Sequence, residues 1–311
     1  MIDSWTARDA AALLRPPGQH DDKYRRGVLG VRTGAAHFPG AAVLGVSAAW
    51  RAGAGMVRYV PPVDDSAPPF GLPTAAAAVL AARPETVFGP PAGKPCDAWL
   101  IGSGTDASTR SAPETRELAT LLAGDAPVVV DAGALDLVGG GAAGASHAAP
   151  AILTPHGGEF ERLWRAAELG DFPEGWEPRG SDSSPRAAAA SRLAKTLGVT
   201  VLLKGSLTIC ATPSGWVRSV GPATPWLASA GTGDVLAGII GALVAGRADD
   251  VRNDADFLGQ LGATAALLHD YAARHAAGDA DATGAGRPIT AGDVAAAIPV
   301  AFAALIAAAS A

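Results

Sequence analysis

One segment of this 311-residue chain combines residue types suited to moving a charged group: Ser229-Ala230-Gly231-Thr232-Gly233-Asp234-Val235-Leu236-Ala237-Gly238. Glycines let the backbone turn tightly and approach a ligand closely. The apolar run that follows reads as a helix from Asp234 to about Val244. A helix N-terminus offers unpaired N–H groups and partial positive charge. Such a turn can hold a phosphate or a developing oxyanion, and the chemistry it implies is phosphoryl transfer. Asp234 falls in the first helical turn. A carboxylate beside an anion site is electrostatically awkward unless it has a task, and taking a proton from a substrate hydroxyl is one. The alternative is that Asp234 only complements the helix dipole.

Other candidates follow short apolar runs that read as strands. Lys204-Gly205 ends one; in parallel sheets ligands gather at the carboxyl ends of strands, so Lys204 can reach a nucleotide or simply be solvated. Leu153-Thr154-Pro155-His156-Gly157-Gly158-Glu159 follows another. There His156 can contact substrate and Glu159 can hold a metal or orient water, unless Thr154 and Glu159 only cap a helix. Asp131 and Asp136 follow Val128–Val130, and Ile101-Gly102-Ser103-Gly104 gives a tight turn on the same rim. No Gly-x-x-x-x-Gly-Lys-Ser/Thr loop occurs. No Gly-x-Ser-x-Gly nucleophile elbow occurs either. Gly53-Ala54-Gly55 follows a helix and lacks the third glycine of a dinucleotide fingerprint.

The elements that must position these residues alternate. Helices are expected at Trp5–Leu14, Ala41–Ala54, Ala75–Ala82, Thr115–Ala123, Glu159–Glu168 and Pro185–Leu197. Strands are expected at Gly27–Val31, Met56–Val60, Ala98–Ile101, Pro127–Val130, Ala151–Leu153 and Val199–Leu203. The strand runs are continuously apolar, as strands buried on both faces are. This order predicts an α/β fold with a mostly parallel, doubly wound sheet and helices on both faces. Leu207–Ala211 and Trp216–Val220, around Thr212-Pro213-Ser214-Gly215, predict a small antiparallel edge. Helices from Asp234, from about Phe257 to Arg274, and from Ala291 onward complete the chain, and Asp171–Ser184 reads as a surface loop. With no internal repeat, residues 1–311 read as a single domain.

Bulk composition narrows the classes. The formal charge is −6 and no long Lys/Arg cluster occurs, which argues against nucleic acid as a partner. Hydrophobic residues make up 49%, but much of that is alanine, and aromatics reach only 5%. The alanine-rich stretch from Ala291 to Ala311 is interrupted by Asp293 and Pro299 and reads as a docking helix, with no membrane span; Thr290 and Asp293 have cap-like spacing. Two cysteines, Cys96 and Cys210, make no disulfide framework, and an acidic N-terminal stretch is unlike a signal peptide, so a cytoplasmic location is expected.

Taken together, these segments resemble the ADP-dependent NAD(P)H-hydrate dehydratases of the ribokinase-like superfamily. The resemblance rests on Gly231–Asp234 with Val-Leu-Ala-Gly after it, Phe38-Pro39-Gly40-Ala41-Ala42, Arg51-Ala52-Gly53-Ala54-Gly55, Val130-Asp131-Ala132, Leu153-Thr154-Pro155-His156 with Gly158-Glu159, and Leu203-Lys204-Gly205. It runs from about residue 5 to the C-terminus. It implies a carbon–oxygen lyase that removes misplaced water from the S-epimer of NADHX or NADPHX, consuming ADP and releasing AMP and phosphate, with Mg2+ bridging the phosphates. By the same resemblance Asp234 is the catalytic base and Gly231, Thr232 and Gly233 form the anion hole. Ala41, Gly104, His156 and Asp234 would contact the hydrate, and Lys204, Gly205, Ser206, Leu207, Thr208 and Gly233 the nucleotide. Relatives are often homotetramers, so a homo-oligomer is expected, and an NAD(P)HX epimerase is expected on a separate chain. The family's Ile-Gly-Pro-Gly-Leu-Gly is here Ile101-Gly-Ser-Gly-Thr-Asp106, its second Pro after Thr-Pro-His is Gly157, and its His-Lys-Gly segment is here His20-Asp-Asp-Lys23-Tyr-Arg-Arg-Gly27. A vitamin-precursor kinase of the same superfamily would carry a similar base and anion hole, and is the alternative.

Overall fold

The computed structural model describes residues 2–64, 71–138, 147–180, 182–280, 282 and 286–308. The strands are β1 (Val28–Arg32), β2 (Met56–Tyr59), β3 (Val87–Phe88), β4 (Ala98–Ile101), β5 (Val128–Val130), β6 (Ala151–Leu153), β7 (Thr200–Leu203), β8 (Thr208–Ala211) and β9 (Val217–Val220). They form one nine-stranded sheet in the order β3-β2-β1-β4-β5-β6-β7-β8-β9. Pairing is parallel from β3 to β7 and antiparallel from β7 to β9. The expected parallel sheet with an antiparallel edge is therefore present. β1 and β4 to β8 are buried along their whole length, which is why they read as unbroken apolar runs.

Helices cover both faces. α1 (Ala7–Leu13), α2 (Pro39–Arg51), α3 (Ala75–Ala82), α7 (Thr232–Gly246), α9 (Phe257–Ala277) and α10 (Ala291–Ala308) share one apolar cluster with the sheet. α4 (Ala112–Leu122), the 3-10 turn Ala132–Leu137, α5 (Gly157–Ala166) and α6 (Ser183–Leu197) share the other. α8 (Ala248–Asn253) and β3 were not foreseen. α8 is polar with no apolar period, and β3 is two residues long at the sheet edge, so neither carries a pattern. α10 is the one described helix long and apolar enough to cross a membrane. It packs Val294, Ile298 and Leu305 into the core, and Thr290 and Asp293 close a reciprocal cap at its start. The 171–184 stretch is more than a surface loop. Phe172 and Trp176 stack on each other and on Trp164 and Phe160 of α5, with ring centroids 4.6 to 5.0 Å apart.

Strand order reverses between β1 and β4, and ligand crevices of doubly wound sheets open at such a switch point. The loops after these strands meet there: Gly34 N–H donates to the Ser103 carbonyl at 2.8 Å. Above them, α2 crosses α7 at backbone contact. A Cβ on Gly238 would lie 2.3 Å from the Gly45 carbonyl oxygen, whereas a Cβ on Gly45 would have nothing nearer than 3.6 Å. The contact is thus asymmetric. Gly238→Ala is expected to lower unfolding free energy by about 1–3 kcal/mol, the usual cost of overpacking. Gly45→Ala is expected to be close to neutral by the same denaturant titration.

Candidate active site

The site is built on the carboxyl ends of β4 to β7. Immediately after β5, Asp131 is 3% exposed. Its Oδ2 accepts the Ser103 hydroxyl at 2.8 Å, and its Oδ1 accepts the Thr154 hydroxyl at 2.7 Å and Lys204 Nζ at 3.0 Å. Burial penalises this carboxylate, but the Lys204 ammonium and the hydroxyls outweigh it, and its pKa lies below the usual range. Lys204 shows the mirror case. Burial disfavours its charge, yet Asp131, Glu159 and Asp234 together hold its pKa above the ordinary value. The Lys204 N–H bonds back to the Pro155 carbonyl at 2.9 Å, which fixes where the side chain leaves β7.

α5 begins with a cap, which the capping alternative for this segment started at Thr154. His156, not Thr154, is the N-cap: its Nδ1 accepts the N–H groups of Gly158 and Glu159 at 3.1 and 3.4 Å. Glu159 Oε2 accepts the His156 N–H at 2.8 Å and lies 4.0 Å from Lys204 Nζ. Thr154 instead turns into the Asp131 cluster. With Nδ1 engaged, the exposed His156 ring presents Nε2 outward, 3.6 Å from Glu159.

The turn before α7 closes the site. Gly231 caps the helix at φ 89°, and a Cβ there would meet Leu44 at 2.6 Å, so glycine is required on both counts. The Thr232 hydroxyl donates to the carbonyls of Leu227 and Ser229 at 2.8 and 2.9 Å and so serves the turn, not a ligand. The first helical closure is Val235 N–H to Gly231 at 3.2 Å, leaving the preceding N–H groups outside the helical ladder. A Cβ on Gly233 would lie 3.6 Å from Lys204 Nζ, so the turn and the lysine face each other. Asp234, in the first turn, is held up to about 6 by burial first and by the negative charge of Asp131 next, with Lys204 acting against both.

Ala41 and Gly104 meet at the switch point. Gly104 has φ 67°, and a Cβ there would lie 2.3 Å from the Ala41 Cβ. The Thr105-Asp106 departure leaves this turn whole: Thr105 Oγ1 donates to the Gly102 carbonyl at 2.7 Å. Gly205 and Ser206 are exposed beside Lys204, whereas Leu207 packs toward the core and Thr208 is buried. Asp136 is not part of the cluster; it pairs with Arg110.

Two supporting residues went unforeseen. His269 of α9, 6% exposed, lies against the Thr232 backbone, and burial pushes its pKa down to about 4, so it sits behind the turn as a neutral ring. A polar pair, His269-Asp270, inside an otherwise apolar helix was the available signal. Arg186 of α6, 1% exposed, donates to the carbonyls of Lys204 and Pro178 at 3.1 and 3.2 Å.

This combination of sheet, glycine-capped helix start and first-turn carboxylate defines a ribokinase-like fold. A ribokinase-like superfamily protein from Enterococcus faecalis V583 superimposes with a TM-score of 0.73 at 20% identity, over 97% of this chain and 96% of that one. The family model for NAD(P)H-hydrate dehydratase matches residues 29–290, and the chain belongs to that family. It is 42% identical over 249 residues to the bifunctional NAD(P)H-hydrate repair enzyme Nnr of Mycobacterium tuberculosis (strain CDC 1551 / Oshkosh), covering 77% of this chain and 45% of that protein. The chain thus spans about half the length of the curated relatives it matches. The ADP/ATP-dependent NAD(P)H-hydrate dehydratase of Bacillus subtilis, co-crystallised with ATP and Mg2+, superimposes with a TM-score of 0.72 at 22% identity, covering 98% and 99% of the two chains.

Removing Lys204 alone strands a buried carboxylate. Lys204→Met is expected to cost about 3–5 kcal/mol, as breaking a buried pair does. Adding Asp131→Asn should recover most of that loss in a denaturant-based double-mutant cycle, while nucleotide binding stays impaired in both variants.

Proposed function

We propose that the chain dehydrates the S-epimer of NADHX and NADPHX to NADH and NADPH in an ADP-dependent reaction that releases AMP and phosphate. The observation that carries this reading is Asp234: a carboxyl group with a pKa of about 6, in the first turn of a helix whose Gly233 faces Lys204. A base tuned near neutrality beside an anion site is what activation of a hydroxyl toward a phosphoryl group needs. The family membership and the repair activity of the relatives support the substrate class.

The hydrate's hydroxyl is a poor leaving group, and phosphorylation makes it a good one. Asp234 takes the hydroxyl proton while the oxygen bonds to the β-phosphorus of ADP and the bond to AMP breaks. The amides of Gly231–Gly233 receive the charge on the moving phosphoryl group, with Lys204 beside them. The ring nitrogen's lone pair then expels phosphate, and loss of a proton from the neighbouring ring carbon restores the dihydropyridine. Ala41, Gly104 and the outward His156 ring would hold the hydrate; Lys204, Gly205, Ser206, Leu207, Thr208 and Gly233 would hold the nucleotide.

Mg2+ is usually carried by one or two carboxylates and the substrate phosphates, not by a protein cage. The residues fit that mode. Among the described residues no group of three His, Cys, Asp or Glu side chains forms a cage, and Glu159 has one oxygen engaged, leaving Oε1 as a single carboxylate ligand. When bound, the ion supplies neutralisation of phosphate charge. The chain covers 45% of a bifunctional relative, and we place epimerisation outside these 311 residues. The two free buried thiols support a cytoplasmic setting.

Incubation with NADHX, ADP and Mg2+ is expected to restore reduced-nicotinamide absorbance with equal yields of AMP and phosphate. Asp234→Asn should slow this about 10²–10⁴-fold, the usual weight of a general base. Release of a stable phosphorylated alcohol from a vitamin precursor, with no recovery of NADH, would instead identify a kinase. Asp234 must be ionised to act, so kcat/KM for the hydrate should fall as pH drops through about 6 and level off above it. A profile flat from pH 5 to 8 (a span chosen to bracket that value) would remove Asp234 as the base.

A further inference from the structure

Two segments lie far from Asp234, at the opposite end of the sheet: 51–55, between α2 and β2, which carries part of the family resemblance, and 20–27, before β1, which departs from the family's pattern. Their glycines are explained by backbone contact. A Cβ on Gly55 would meet the Lys23 carbonyl oxygen at 2.1 Å, and one on Gly27 would meet that of Ala245 at 2.3 Å. Their arginines are not explained this way. Arg25, Arg26 and Arg51, joined by Arg15 and Arg247, line a cavity of about 200 Å³ between the loop after α1, the C-terminal ends of α2 and α7, and α10. Leu243 and Phe302 contribute apolar wall.

Charge in the cavity is unbalanced. Arg15 pairs with Asp21 at 3.5 Å, and Arg247 pairs with Asp250. Among the described residues, Arg25, Arg26 and Arg51 form no ion pair. Arg26 caps the Gly53 carbonyl at 2.8 Å. Arg51 reaches the Ala296 carbonyl at 3.4 Å, and its Nε is buried with no partner. The Arg25 guanidinium makes no hydrogen bond and no ion pair among the described residues, although Asp22 lies near it and it also borders an adjacent cavity with Asp97, Asp249 and Asp250. Capping of the two helix ends is the plain explanation, but it falls short. Each C-terminus supplies roughly half a negative charge, together about one, against three unpaired guanidinium groups. Such a concentration in a chain of net charge −6 is not a general surface property.

We propose that this cavity is a second ligand site, separate from the catalytic rim, for a compact multivalent anion: a phosphate- or carboxylate-bearing metabolite whose short apolar part rests on Leu243 and Phe302. Arg25 and Arg51 are its main anion contacts, because they have hydrogen-bonding capacity left over. Arg26, committed to Gly53, adds charge.

Calorimetric titration with inorganic pyrophosphate and, separately, with citrate, at low ionic strength and without metal, tests this. The wild-type chain is expected to show one saturable event that persists in the Asp131→Asn/Lys204→Met variant, whose catalytic rim is disabled. Arg51→Gln and Arg25→Gln should each weaken it about tenfold, the worth of one charge-assisted hydrogen bond. Arg25→Gln guards against misfolding, since it removes a side chain that holds nothing in place, and circular dichroism melting checks both variants. Tighter pyrophosphate assigns a phosphate ligand and tighter citrate a carboxylate. Absence of a saturable event in the wild type, its loss in the rim variant, or unchanged affinity in both arginine variants overturns the proposal. These outcomes do not depend on the dehydratase assay, so either reading can fail alone.

Discussion

The buried pair of Asp131 and Lys204 is the constraint around which the site is arranged. A carboxylate at 3% exposure persists only with its partners in place, and here they come from three strand ends: Ser103 after β4, Thr154 after β6 and Lys204 after β7. The pair therefore ties the carboxyl rim of the parallel sheet together. It also decides the character of Asp234. Were Lys204 to pair with Asp234, that carboxyl would be strongly acidic and a feeble base. Because Asp131 holds the ammonium, Lys204 offsets only part of what burial, and next the negative charge of Asp131, do to Asp234, and its pKa rises to about 6.

The alanine-rich composition has a matching structural use. The layer formed by α2, α7, α9 and α10 is built largely from alanine, glycine and aliphatic residues. Small side chains let α2 and α7 approach to backbone distance at Gly45 and Gly238, and this sets the Gly231 turn against Leu44. On the other face four aromatic rings, Phe160, Trp164, Phe172 and Trp176, stack to hold the 171–180 stretch over the start of α5. There a Cβ on Gly157 would strike the Pro178 carbonyl oxygen at 2.1 Å. One face thus brings helices close, and the other clamps a loop.

Strand positions were legible because burial on both faces writes itself as unbroken apolar runs, and the Gly231–Asp234 turn was legible as a tight helix start because its glycines directly precede an apolar helical run. What escaped had no local signature. β3 and α8 are too short for a period. The capping alternative started the turn at Thr154, but the reciprocal spacing belongs to His156 and Glu159, and a buried acid claims the threonine hydroxyl. Asp131 was visible as a residue after a strand, equal in standing to Asp136; only the third dimension shows one facing Lys204 and the other Arg110. His269 and Arg186 act through backbone groups 37 and 18 positions away in sequence, and no spacing rule reaches that far.

α7 makes the asymmetry of the two proposed anion sites intelligible. Its N-terminus opens on the catalytic rim with N–H groups and positive partial charge, so recognition there needs few cationic side chains, and Lys204 is already shared with Asp131. Its C-terminus ends at the far cavity with carbonyl groups and the opposite polarity. An anion can settle there only if side chains reverse the field of the helix, which takes more than one guanidinium. The catalytic end therefore reads as glycine in the sequence and the far end as arginine, and both patterns follow from the direction in which one helix runs.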